Sequence, residues 1–272
     1  MSGNFIHRKE INKDKIPVII LCGGRGMRLV EETDFKPKPM VEIGGKPILW
    51  HIMKIYAYYG YHNFILALGD KGDYIKDYFL KQKYYESDFR LNTKIGKVSN
   101  VIPNHGFEKD EFNIIFAETG LETPHGERVL RLKKYILGDL FMVTYGDGIA
   151  DINVNELVRS HIQRDVIGTV TGVHPSSRWG LINTDKNNII TQFAQKPMLY
   201  DYVNGGFMVF KRKFLDVLQK GDMIEDTLSR LIPQKQLALY KHEGFWYGMD
   251  TYKDFLFLNK LWEEGPKWKI WK

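Results

Sequence analysis

Residues 17–29 read Pro17-Val18-Ile19-Ile20-Leu21-Cys22-Gly23-Gly24-Arg25-Gly26-Met27-Arg28-Leu29, an unbroken β-branched and aliphatic run that ends in a glycine cluster. A short, continuously apolar run of this kind predicts a strand buried on both faces, and hence a parallel sheet. The loop after it falls where open α/β sheets bind ligands, at the carboxyl end of a strand. Three glycines let the backbone approach a phosphate and offer N–H groups to its oxygens. The segment fits neither common nucleotide motif: GxGxxG fails for want of its third glycine, and the P-loop fails because no Gly-Lys-Ser/Thr follows. The alternative is a flexible surface turn, and the neighbouring residues decide between the two.

Outward from the loop, residues 48–59 (ILWHIMKIYAYY) place apolar side chains at three- and four-residue spacing and stop at Gly60, the pattern of an amphipathic helix with a glycine cap. Residues 64–68 repeat the strand pattern, which completes a right-handed βαβ unit. The expected fold is therefore α/β: a three-layer α/β/α sandwich around a Rossmann-like, mixed, mostly parallel sheet. Helical patterns recur at 73–81, 128–136, 224–231 and 252–262, and strand patterns at 112–117 and 140–144. The last strand ends at the turn Tyr145-Gly146-Asp147-Gly148. From residue 167 short strands separated by turns (IGTVTGV, LINTD, IITQFAQ, GGFMVF) predict a smaller, mostly antiparallel β-rich extension. The division that follows is an N-terminal extension over 1–16 and one domain over 17–272, with a first half over 17–150 and a β-rich, substrate-facing second half over 151–272.

Composition narrows the class. The chain has 272 residues, 39 Lys+Arg against 33 Asp+Glu for a formal charge of +6, and 43% hydrophobic residues, too apolar and too mixed in charge for a disordered or collagen-like chain. No apolar stretch approaches the roughly 18–20 residues of a membrane span, and the polar start MSGNFIHRKEINKDK carries no signal-like core, so a cytoplasmic protein with no membrane partner is expected. The lone Cys22 excludes an intrachain disulfide and any CxxC site. The basic residues are spread along the chain, which favours a small phosphorylated ligand over nucleic acid. Around Lys38, Pro37 and Pro39 stiffen the loop KPKPM, so that Lys38 and Arg28 become two fixed positive charges near the glycine turn. Lys36 reads as solvated.

At this point the chain resembles a known family. The stretch GGRGMRLVEETDFKPKPMVEIGGKPILWHIMK is similar to the nucleotide-binding signature of sugar-1-phosphate nucleotidyltransferases, nearest to their glucose-1-phosphate cytidylyltransferase branch. YGDGIADI, the NGGF of 204–207, GFWYGMDT and the terminal LWEEGPKWKIW resemble blocks of that branch in the same order. The resemblance implies CTP and a small phosphorylated acceptor as substrates, Mg²⁺ as cofactor, and CMP transfer with release of pyrophosphate. By default the acceptor is glucose 1-phosphate and the product CDP-glucose, a surface-polysaccharide precursor; a homo-oligomer is the expected assembly.

The residue roles follow from the matched positions. Arg28, Lys38 and Asp147 are the expected catalytic set, and Asp147 and Asp250 the expected metal ligands. An isolated Asp after a strand is otherwise a turn or capping residue, and Asp250 before Thr251 could be an N-cap. The nucleotide is expected on Leu21, Gly23, Gly24, Gly26, Met27, Arg28, Lys38, Gly126, Arg128 and Asp147. Arg128 can donate to the cytosine O2 and N3 acceptors, which uracil and thymine do not reproduce. The acceptor is expected on Tyr145, Gly180, Gln195, Lys196, Asn204 and Gly205, with Lys196 on its phosphate. His51, His62, His161 and His242 are given no role. Three departures bear on substrate: Met27 stands where the family usually has Thr, Gln195 replaces the Glu of its E-K-P, and Ser176-Ser177-Arg178-Trp179-Gly180 replaces P-G-R-F-G. Two lie on the acceptor side, which leaves open CMP transfer to a non-sugar phosphate such as L-glutamine phosphate in capsular phosphoramidate synthesis. A non-catalytic nucleotide-sensing subunit is the alternative of another class. The aromatic tail, with Trp262, Trp268 and Trp271, fits either docking onto a subunit or burial against its own domain.

Overall fold

The computed structural model describes residues 11–24, 35–85, 87–103, 111–177 and 179–271. The elements of known range begin with strand β1 (Val18–Leu21), the tiny strands β2 (Glu42–Ile43) and β3 (Lys46–Pro47), helix α1 (Ile48–Tyr58), β4 (Asn63–Leu68) and α2 (Gly72–Tyr85). A hairpin of β5 (Ser87–Asn92) and β6 (Lys97–Pro103) precedes β7 (Asn113–Glu118), α3 (His125–Arg131), β8 (Leu140–Tyr145), β9 (Gly148–Ala150) and α4 (Val154–Arg164). Then come β10 (Gly168–Val173), the hairpin β11 (Leu181–Thr184) and β12 (Ile190–Ala194), and β13 (Val203–Lys211). The order closes with α5 (Ile224–Leu231), β14 (Leu237–Lys241), β15 (Trp246–Gly248) and α6 (Tyr252–Glu264).

Among the described residues seven strands form the central sheet, in the order β14-β10-β13-β8-β1-β4-β7, and β13 alone runs antiparallel to its neighbours. The continuous apolar reading of β1 is explained by its place: Ile19 pairs with Ile65 on one side and Val143 on the other, and every residue of the strand is buried. Its side chains alternate between two cores, as strand geometry requires. Val18, Ile20 and Cys22 face α1, α4 and α6, whereas Ile19 and Leu21 face α3 and α5. The chain leaves β1 for β4 on one side and later returns to β8 on the other. The order therefore reverses between β1 and β8, and a crevice opens at the carboxyl ends of these strands.

The three-layer α/β/α expectation holds. Much of the supposed extension after residue 167 proves to be sheet proper: β10, β13 and β14 continue the central layer, and only β11–β12 stands apart as a two-stranded hairpin. α1 ends as expected at a glycine: Gly60 has φ 86°, its N–H reaches the Ala57 carbonyl and that of Tyr61 reaches the Tyr56 carbonyl, both orphan acceptors of the last turn. The aromatic tail folds back onto its own domain, with Trp268 fully buried and Trp271 nearly so. No helix among the described residues is long and apolar enough to cross a membrane.

Candidate active site

The crevice is floored by the two turns that leave β1 and β8. Gly146 follows β8 and donates its N–H to the Leu21 carbonyl at 3.1 Å. A side-chain carbon there would stand 2.9 Å from that carbonyl oxygen and 2.8 Å from a ring carbon of Pro39, so glycine alone lets the strands close. A cleft of about 240 Å³ results, lined by Leu21, Cys22, Gly23, Gly24, Lys38, Pro39, His125, Tyr145, Gly146, Asp147 and Asp250. Burial pushes the Cys22 thiol well above its ordinary pKa, so it is a neutral part of the floor and not a nucleophile.

Asp147 and Asp250 are brought together by one short antiparallel pair. Gly148 of β9 faces Gly248 of β15, and the Met249 N–H donates to the Asp147 carbonyl at 2.9 Å, which places the flanking aspartates side by side. The Lys38 ammonium donates to Asp147 Oδ2 at 2.6 Å and to Asp250 Oδ1 at 2.7 Å. Lys38 opens a 3₁₀ turn (Lys38–Met40) between two prolines, with Pro39 and Met40 buried, which fixes its backbone. Burial opposes its charge, yet the Asp147 and Asp250 carboxylates outweigh burial and hold Lys38 above the ordinary lysine pKa. Thr251, not Asp250, is the N-cap of α6: its hydroxyl accepts from the Asp254 N–H, and Asp250 is left to point into the cleft. Two carboxylates already gathered around one cation form a donor set suited to Mg²⁺, which takes one or two carboxylates and completes its shell with substrate phosphates and water. Among the described residues no third carboxylate, His or Cys joins them.

Arg128 lies behind the glycine turn. Its guanidinium is buried, donates to the Leu68 carbonyl at 3.0 Å, the Thr119 hydroxyl at 2.6 Å and the Leu121 carbonyl at 3.0 Å, and a side-chain carbon on Gly23 would come within 2.3 Å of it. Its Nε has no partner among the described residues. Gly126 does not line the cleft; it packs on the backbone of residues 222–223, where a side-chain carbon would lie 2.8 Å from the Asp222 carbonyl oxygen. Tyr145 faces the cleft, donates to Glu225 at 2.6 Å and receives the Asn204 amide at 3.4 Å. Burial, then the Glu225 carboxylate, pushes its phenol far up, so it stays a neutral donor. Asn204 also accepts from the Gly206 N–H, and the Gly205 carbonyl accepts from the Trp246 indole at 2.8 Å.

Gly180, Gln195 and Lys196 sit together at the neck of the β11–β12 hairpin, outside the cleft lining; a side-chain carbon on Gly180 would lie 3.1 Å from Gln195 Oε1. Gly26, Met27, Arg28 and Arg178 lie outside the described residues. None of His51, His62, His161 and His242 lines the cleft. Sequence reading missed Glu225, which orients Tyr145 from the first turn of α5, and gave no place to His125, whose ring lies 5.7 Å from that of Tyr145. Burial first, then the Arg128 charge, lowers the pKa of His125 and keeps it neutral. Its position opening a helix after Pro124 was the available signal.

Known proteins resemble this chain over nearly its whole length. Residues 17–265 match the family described as nucleotidyl transferase. A "Probable glucose-1-phosphate cytidylyltransferase" of Bacillus subtilis is 42% identical, covering 93% of this chain and 99% of its own length. The glucose-1-phosphate cytidylyltransferase of Salmonella typhi is 37% identical with the same coverage of each chain. Among solved structures, HddC from Yersinia pseudotuberculosis shares the fold with a TM-score of 0.63 at 21% identity, covering 91% of this chain and 99% of that one.

Proposed function

The chain belongs to the nucleotidyl transferase family, and from that premise we propose that it transfers CMP from CTP to glucose 1-phosphate, yielding CDP-glucose and pyrophosphate for surface-polysaccharide synthesis. The observation that carries this reading is a cleft at the strand-order reversal in which Lys38 draws two carboxylates together, in a chain 42% and 37% identical to proteins named for that activity.

The reaction asks little covalent work of the protein. A phosphomonoester, with a second pKa of about 6, is largely dianionic at neutral pH and needs no general base. One of its oxygens forms a bond to the α-phosphorus of CTP while the bond from that phosphorus to the bridging oxygen breaks, and pyrophosphate leaves with the electron pair. Catalysis is then positioning and charge neutralisation. The backbone N–H groups of the glycine turn, Lys38 and Arg28 serve the triphosphate and the leaving pyrophosphate. Asp147 and Asp250 would hold Mg²⁺, which would polarise phosphoryl oxygens and offset developing charge. Arg128, locked by three acceptors and with its Nε still unpartnered, serves the pyrimidine, and Tyr145, Gly180, Gln195, Lys196, Asn204 and Gly205 serve the acceptor. Only a ring with an unprotonated N3 accepts there, which favours cytosine over uracil.

The test is pyrophosphate release with Mg²⁺ and each of CTP, UTP, dTTP, ATP and GTP, crossed with sugar 1-phosphates, glycerol phosphates and amino-acid phosphates. CTP with glucose 1-phosphate is the fastest pair on this reading. A CTP-dependent signal confined to a non-sugar phosphate overturns the acceptor, and silence across the grid overturns the activity.

A further inference from the structure

Two helices bring their first turns to the same tyrosine. α3 and α5 are docked start to start: the Glu127 N–H donates to the Asp222 carbonyl at 3.1 Å, the Gly221 N–H donates to the Glu127 carboxylate at 2.8 Å, and Gly126 packs on the backbone of residues 222–223. The start of α5 is fixed in turn by the Met223 N–H on the Asp226 carboxylate at 2.8 Å. From these supports His125 and Glu225 flank Tyr145, the last residue of β8. The His125 ring lies 5.7 Å from the phenol ring, and the phenol donates to Glu225 Oε1 at 2.6 Å while receiving the Asn204 amide at 3.4 Å. His125 and Tyr145 line the cleft together with Lys38, Asp147 and Asp250, so the cluster is the wall beside the reacting phosphates.

Glu225 is the member that needs explaining. The helix dipole favours a carboxylate in the first turn of α5, but it does not account for one held by a phenol 80 residues away in sequence. Tyr145 occupies one carboxylate oxygen; the side chain is exposed, and among the described residues no cation pairs with it. His125, kept neutral by burial and by the Arg128 charge, does not balance it. Beside a cleft that receives phosphates, an unbalanced negative charge repels the anionic end of either substrate, so the group it meets must be a hydrogen-bond donor. None of the residues assigned to the acceptor is a carboxylate, and the Gln195 amide is a weaker acceptor than an ionised group. A hexose 1-phosphate has the matching asymmetry: a dianion at one end and a ring of O–H donors at the other.

We propose that Glu225 is a specificity residue of the acceptor subsite, its second carboxylate oxygen accepting from a ring hydroxyl of the sugar phosphate while Tyr145 fixes the first. This rests on the functional reading above, in which Tyr145 and Asn204 serve the acceptor, and it narrows that acceptor to a hydroxyl-bearing phosphate. An amino-acid phosphate brings a carboxylate of its own, which Glu225 repels. A sugar without the matching hydroxyl leaves the charged acceptor stripped of water and unpaired, which is the costly case.

The experiment compares the full chain with Glu225→Gln, Glu225→Ala and Tyr145→Phe. Pyrophosphate release is measured with CTP and either glucose 1-phosphate or its monodeoxy analogues, and binding of CTP and of the same sugar phosphates is measured by calorimetry. In the parent, one analogue loses about 10–100-fold in kcat/KM, the worth of one hydrogen bond to a charged group. Glu225→Ala loses about as much with glucose 1-phosphate itself and no longer tells that analogue from the parent sugar, Glu225→Gln falls between, and the KM for CTP stays within about 2-fold. Retained CTP binding shows that each variant keeps its cleft. Were Glu225 only a support for Tyr145, Tyr145→Phe would reproduce its loss and all analogues would suffer alike. That pattern, or a discrimination that Glu225→Ala leaves intact, overturns the proposal. If the parent transfers nothing to glucose 1-phosphate the functional reading falls, and calorimetric binding of the sugar phosphates still decides the role of Glu225.

Discussion

One ammonium group, that of Lys38, stands at 2.6 and 2.7 Å from two aspartates, the very oxygens a divalent ion would use. Two cations cannot share that contact, so on the proposed function a metal bound there would compete with Lys38 until a triphosphate drew the lysine away. Replacing Lys38 by Met frees the two carboxylates and, on the proposed function, removes one partner of the nucleotide. The expected outcome is a turnover loss of about 10²–10³-fold, together with tighter binding of Mn²⁺ to the nucleotide-free protein. Steady-state rates and an electron paramagnetic resonance titration of Mn²⁺ check the two halves, and an unchanged Mn²⁺ affinity would show that lysine and metal do not share oxygens. At this scale the sequence was partly legible. The stiff Pro37-Lys38-Pro39 segment could be seen to fix a cation, but that Asp147 and Asp250 are neighbours depends on the pairing of β9 with β15, which no local pattern announces. Only resemblance to a family joined them.

Among the elements, α6 couples stability to the site most directly. Its capping box, Thr251 on the Asp254 N–H and Asp254 on the Thr251 N–H, also ties down the backbone of Asp250. Thr251→Ala is expected to cost about 1 kcal/mol of stability and to lower kcat by more than that loss implies, since Asp250 loosens with the cap. Urea denaturation and initial rates separate the effects; a stability loss with unaltered kcat would mean that Asp250 is held by β15 alone. Helices were the most readable elements: 224–231 is α5 as expected, because its apolar positions face one core. α3 starts three residues earlier than its pattern, at His125 after Pro124, and breaks into a 3₁₀ turn over Lys133–Tyr135. The β5–β6 hairpin was missed because Ser87–Asn92 is exposed along nearly its whole length and so lacks the alternation that marks a half-buried strand.

For the molecule as a whole, the distribution of buried imidazoles sets the acid limit. His51 is fully buried, its Nε2 lies 2.8 Å from the Ile43 carbonyl and its Nδ1 accepts from the Trp268 indole at 3.4 Å, and burial lowers its pKa from 6.5 to about 4. His161, beneath β10 on Thr169 at 2.9 Å, is lowered to about 4 by burial as well. Both are neutral in the folded state while the unfolded chain takes up their protons below 6.5. Stability is therefore fully present above that pH and is lost as pH falls toward 4, at up to about 1.4 kcal/mol per pH unit for each histidine. Unfolding free energies between pH 7 and 4.5 check this, and His161→Gln should flatten the slope. The overall architecture was legible because β1 is central and wears its double burial in its composition. The order of the strands was not, because β13 enters between β8 and β10 through pairings that no neighbouring residues encode.

The tail around His51 has one more consequence. The indoles of Trp50, Trp262, Trp268 and Trp271 surround that imidazole, with ring centroids 5.1, 5.0, 6.2 and 6.1 Å away. Indoles held this close in a rigid, asymmetric arrangement are coupled chromophores, and their near-ultraviolet circular dichroism belongs to the docked tail and not to the sheet. The protein carries its own optical gauge: undocking residues 265–271 would erase that band while the far-ultraviolet spectrum of helices and strands persists, so the closing of this layer can be timed separately from the folding of the rest.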